Sequence, residues 1–262
     1  MRIIRQVISG LLISCLFSAT VQAKVNPLTV AVGWNKPPYV ISKNDSGFEL
    51  DMVRAVFAIM GYQITPLYVP YGRTHKMLQR GQVDAAMSLS AKSGVRIELL
   101  SRRYISYQNT AISLKRHNLD IQQIEDLAKY SVAGFQNATK NLGNRYAQAV
   151  AKAPYYMELP DQNKQVGMLL QGNVAVAVMD INIFVHLSRQ RTGENQLAVV
   201  DTHNIFPATD YSVGFTNTAL KKAFDKALSQ YQHSHNFFEL VKYYEFNVIP
   251  PARLPETPTP LP

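Results

Sequence analysis

Cysteine is nearly absent from this chain: Cys15 is the one example in 262 residues. A single thiol cannot close a disulfide within the chain, so a disulfide-stapled framework is excluded. Charge is also sparse, at 17% of residues, and the basic residues are scattered in pairs such as Arg102-Arg103, Lys115-Arg116 and Lys221-Lys222. No basic stripe interleaved with aromatics is present, so the net charge of +9 reads as a solvated surface and not as a nucleic-acid face. Of six histidines only His233 and His235 are close, and alternate spacing on a helix turns them apart, which gives no metal site. There is no nucleophile-elbow pattern and no phosphate-cradling glycine loop, so no cofactor is expected and the chain does not read as an enzyme. Past the first residues no run approaches the roughly 20 apolar positions of a membrane-crossing helix.

What is present is 47% hydrophobic residues and 10% aromatics, enough for one large or two smaller packed domains and incompatible with a disordered chain. Residues 1–23 read as a secretory signal: Arg2 and Arg5 precede the apolar stretch Val7 to Phe17, and Val21-Gln22-Ala23 supplies the cleavage site. Loss of Arg2 and Arg5 lowers the net charge from +9 to +7. Leu12-Ile13-Ser14-Cys15 also fits a lipoprotein box, but the apolar segment before Cys15 is very short and no polar tether follows it. The last 13 residues hold six prolines, so 249–262 reads as an extended tail.

Between these ends, short apolar strands alternate with amphipathic helices, an α/β pattern. Leu28 to Val32 is a strand, and Trp34-Asn35-Lys36-Pro37-Pro38-Tyr39 is a loop because its prolines forbid regular structure. Ser46 and Glu49 are spaced as a capping box, opening a helix whose apolar positions run from Phe48 to Met60 and which Gly61 ends. Further on, Gln136 to Thr139 is a turn opening a helix to about Ala151, and Val174 to Met179 is a very apolar strand ended by Asp180.

The strings Gly47-Phe48-Glu49-Leu50-Asp51-Met52, Leu78 to Ala86 and Leu169 to Asp180 resemble the family 3 extracellular solute-binding proteins, receptors of polar amino acid ABC importers. The resemblance implies a two-lobe periplasmic binding protein type II fold, with lobe 1 at 25–112 plus 205–248 and lobe 2 at 113–204. Two crossover hinge strands would lie near Thr110 to Lys115 and Val199 to Phe206. It implies a monomer in the periplasm that closes on a small polar ligand, such as an amino acid, and serves an inner-membrane ABC permease.

By the same resemblance, Arg96 grips a ligand carboxylate, Ser88 and Ser90 line the approach, and Asn137, Ala138 and Thr139 offer turn amides. Asp180 holds an ammonium, Trp34, Tyr39 and Tyr71 wall the pocket, and Arg73 adds a second cation. Two alternatives stay open: a binding or sensor module of the same fold without transport, and a dehydratase-like enzyme.

Overall fold

A computed structural model describes residues 26–70 and 72–246. The expected signal segment with Cys15, Tyr71 and the proline-rich C-terminal residues lie outside the described residues.

The described residues build two five-stranded mixed sheets. The first has the order β2-β1-β3-β10-β4, from β1 (Asn26–Gly33), β2 (Tyr62–Val69), β3 (Ala85–Leu89), β4 (Ile105–Tyr107) and β10 (Thr209–Phe215). Strand β1 runs parallel to β2 and β3, and β10 is antiparallel to β3 and β4. The second sheet has the order β7-β6-β8-β5-β9, from β5 (Asn109–Leu114), β6 (Val132–Phe135), β7 (Tyr156–Leu159), β8 (Val176–Asp180) and β9 (Val200–His203). The expected crossover segments are therefore mostly strands of the second sheet. The chain passes between the sheets at Gln108 and across residues 204–208, and the Gln108 side-chain amide donates to the Phe206 carbonyl at 2.9 Å, tying the passages together.

One continuous buried apolar cluster includes Val30, Phe57 and Phe215 beside the first sheet and Ala177, Met179 and Phe184 beside the second, with Tyr39 and Tyr107 among its members. Helices α1 (Phe48–Ile59), α7 (Thr218–Gln232) and α8 (His235–Tyr243) pack together on the first sheet. Helices α5 (Gln162–Gln171) and α6 (Ile181–Thr192) pack on the second, and α2 (Thr74–Gln79) lies against β1 and β3. The helix expected up to Ala151 is broken into α3 (Ala138–Leu142) and α4 (Asn144–Val150), because Gly143 takes a left-handed φ of 90°.

The start of α1 differs from its sequence reading in a way that positions the site. Ser46 does not cap the helix; its hydroxyl donates to Asn44 at 3.0 Å. The first amides of α1 are met by loop carbonyls: Phe48 N–H donates to Pro38 O at 2.9 Å and Glu49 N–H to Tyr39 O at 3.0 Å. This frees the Glu49 carboxylate from capping and turns it into the interior, where it is fully buried. Gly47 makes the close approach feasible, since a Cβ there would lie 2.4 Å from Tyr39 O and the backbone sits at φ 126°. Gly47→Ala is expected to cost about 1–3 kcal/mol, the range for a non-glycine residue forced into such a conformation. Urea denaturation checks this, and an unchanged midpoint would contradict it.

Candidate functional site

Asp180 ends β8 with its carboxylate buried at 4% exposure, and from there it serves both halves of the chain. One oxygen accepts from Asn182 N–H at 2.9 Å and Ile183 N–H at 3.1 Å, the N-cap of α6, and from the Tyr39 hydroxyl at 2.9 Å. The other accepts from Gln108 N–H at 2.9 Å in the passage between the sheets. Tyr39 belongs to the loop after β1, so its hydrogen bond crosses from the first half to the second. Burial raises the Asp180 pKa, while Lys36 and these donors pull the other way.

Because Tyr39 spends its one proton on Asp180, it accepts from the Asn182 side-chain amide at 3.2 Å. That fixes the amide's orientation and leaves Asn182 Oδ1 buried with no hydrogen-bond partner among the described residues.

Aromatic rings and two more charges complete the cluster. The Tyr39 and Tyr107 ring centroids are 4.0 Å apart, Tyr211 is 4.9 Å beyond Tyr107, and Phe246 meets Tyr39 edge-on at 5.1 Å. The Lys36 ammonium lies over the Tyr107 ring at 3.7 Å, with Tyr39 at 5.8 Å, a cation–π arrangement. The Lys36 backbone is pinned by paired bonds with Val40, at 2.7 and 3.0 Å. Glu49 accepts from Ser88 Oγ at 2.6 Å and from the hydroxyls of Tyr104 and Tyr107. Ser88 reaches it from a left-handed backbone, φ 56°, which also aims its N–H at Tyr104. Burial lowers the Lys36 pKa to about 8, and Asp180 and Glu49 oppose that fall. Burial and the same carboxylates raise Tyr211 to about 12.

The other expected residues are placed separately. Asn137 N–H donates to Glu158 at 2.7 Å, and Thr139 donates to it through N–H at 2.9 Å and hydroxyl at 2.8 Å. Ala138 is buried beneath them, and Tyr156 gives Glu158 a further bond at 2.9 Å. Burial pushes the Glu158 carboxyl up, but these donors outweigh it and hold it below its usual range. Ser90 caps a short 3-10 turn by accepting from Lys92 N–H.

Arg96 does not join the cluster. Val95 is buried, which turns Arg96 outward, and its guanidinium pairs with Glu98 at 3.1 Å with a side chain 70% exposed. Arg73 is likewise exposed beside buried Thr74, and Trp34 is 55% exposed. Among the described residues no three His, Cys, Asp or Glu side chains converge on a metal-sized site.

The sequence profile of the bacterial extracellular solute-binding proteins, family 3, matches residues 28–247. The chain belongs to this family. No curated protein matches it in sequence. Its fold is similar to the GluR0 ligand-binding core solved with L-glutamate, at TM-score 0.65 and 17% identity over 84% of this chain and 99% of that one. It is also similar to a Streptococcus pneumoniae ABC uptake transporter substrate-binding protein with bound histidine, at 0.59 and 16% over 83% and 92%. A histidine kinase sensor domain resembling periplasmic binding proteins matches at 0.62 and 16% over 84% and 96%. These likenesses establish the type II periplasmic binding protein fold, and the halves described above are its lobes.

Sequence reasoning about this family fold missed Lys36, Glu49, Tyr107, Gln108, Asn182 and Glu158 as members of these networks. Lys36 had a usable signal: a lysine in a short loop after a parallel strand, held by Pro37-Pro38. Between about pH 8 and 10.5 the unfolded chain holds the Lys36 proton that the folded protein has released, so stability rises with pH through that window. Lys36→Met is expected to remove about 1 kcal/mol of the gain between pH 7.5 and 9.5, allowing for partial solvent screening. Denaturant titrations at both values check this, and an identical pH dependence in the variant would contradict it.

Proposed function

We propose that this protein is a periplasmic receptor that captures a small polar solute of the amino acid class between its lobes and delivers it to an inner-membrane ABC permease. The observation that carries the reading is the charged, aromatic-walled cluster where the lobes meet. A buried carboxylate (Asp180), an ammonium position on tyrosine faces and an unpartnered amide oxygen on Asn182 together suit a solute bearing both charge and N–H donors. Family membership and the binding proteins among the structural neighbours support it.

The geometry supports solute capture in one further respect. Tyr39 reaches Asp180 only when the lobes are together, so a solute entering the cluster exchanges contacts on both lobes at once and biases their relative position. Such a bias is also what a signalling partner reads, and the similarity to a kinase sensor domain favours a non-transport sensor as the second reading.

A thermal-shift screen of refolded, ligand-stripped protein against amino acids, small carboxylates, polyamines and sugars tests the proposal. A saturable rise with one amino acid class is expected, lost or reduced at least about tenfold in Asp180→Ala, as befits a buried charge left without its partner. No response to any zwitterion would contradict the amino acid reading.

A further inference from the structure

The cluster between the lobes already holds an ammonium, and it belongs to the protein. Lys36 Nζ sits 3.7 Å from the Tyr107 centroid and 5.8 Å from that of Tyr39, in the field of Asp180 and Glu49. Tyrosine faces and buried carboxylates are the chemistry that recognises a ligand ammonium. Asn182, whose side-chain amide is fixed on Tyr39, has its Oδ1 buried with no hydrogen-bond partner among the described residues. A buried orphan acceptor calls for a donor, and an ammonium brings three. The second lobe shows a parallel case: the amides of Asn137 and Thr139 are filled by the protein's own Glu158 carboxylate.

Lys36 lies on a loop and not on a strand or helix. Its backbone is held to Val40 just after exposed Trp34 and Asn35, and its side chain carries the ammonium to the Tyr107 ring. Its charge is kept despite burial through Asp180 and Glu49, so a second cation could not sit beside it without repulsion.

We propose that Lys36 is a tethered occupant of the interlobe ammonium position, so that a ligand ammonium enters by displacing it. This deepens the receptor reading and rests on it for the identity of the incoming ligand, but the tethered ammonium itself can be tested without any ligand. Displacement makes Lys36 a setter of affinity and specificity. It weakens every ammonium ligand by the same internal competition and leaves ligands lacking an ammonium unaffected.

Lys36→Ala deletes the propylammonium portion of the side chain, and n-propylammonium added to the solution replaces it. Thermal denaturation of Lys36→Ala is expected to show a saturable rise of about 2 °C or more with n-propylammonium. No rise is expected with n-propanol, nor with either in the wild-type protein. If Lys36→Ala does not fold unaided, recovery from urea in n-propylammonium but not in n-propanol gives the same answer. No amine effect, or an equal effect of the alcohol, overturns the proposal.

Displacement is read with Lys36→Met, which keeps the stem without the charge. Calorimetry across the common amino acids and their desamino carboxylates is expected to find at least one amino acid bound about tenfold more tightly than by wild type. Its desamino counterpart should be unchanged. Equal or weaker binding of every amino acid by Lys36→Met overturns displacement. An amine effect in Lys36→Ala with no amino acid bound by any variant would reject the amino acid receptor and keep the tethered ammonium. Amino acid binding by wild type with no amine effect would reject the tether alone.

Discussion

The hydrogen bond from Tyr39 to Asp180 is the contact on which the arrangement of this protein turns. It joins a loop of the first lobe to the end of a central strand of the second, inside a region shut off from water. A hydrogen bond to a charged group in such surroundings contributes about 1.5–3 kcal/mol, more than an exposed ion pair does. Everything near it serves to hold those two groups in register. Gly47 lets the Tyr39 carbonyl cap α1, Gln108 ties the interlobe passage to the other carboxylate oxygen, and Asn182 orders the hydroxyl from behind.

Around this contact charged groups are withdrawn from water together, Asp180 and Glu49 buried and Lys36 half-buried. Asp180, Glu49 and Lys36 would each be costly alone in an apolar interior. Together, the charges offset one another, and the tyrosine hydroxyls supply Glu49 with the donors that a carboxylate needs. A cluster whose charges are held largely from within is well suited to specificity, because an incoming solute must replace each partner that it removes.

Much of the fold was legible in the sequence because it is carried by local patterns. The Val176–Asp180 strand is buried at every position and lies in the apolar run Val174 to Met179 that Asp180 ends, and the spacing of Phe48, Met52, Val53, Val56 and Phe57 marks α1. Asp180 could be singled out as a carboxylate at a strand end. What stayed hidden is what depends on contacts distant in sequence. Ser46 and Glu49 have the spacing of a capping box, but carbonyls of Pro38 and Tyr39 took the helix amides, and Glu49 turned inward to Tyr104 and Tyr107, 55 and 58 residues away. Nothing near Glu158 in the chain announces that it closes on Asn137 and Thr139, 21 and 19 residues earlier. The resemblance points to Arg96, but beside buried Val95 its side chain lies exposed against Glu98.

The central claim is that Tyr39 and Asp180 are energetically coupled across the lobes. A double-mutant cycle of Tyr39→Phe and Asp180→Asn, read by urea denaturation at pH 7, measures that coupling directly. The structure predicts an interaction energy above about 1 kcal/mol, in keeping with a buried bond to a charged group. Effects that add to within about 0.3 kcal/mol, the behaviour of independent sites, would contradict it.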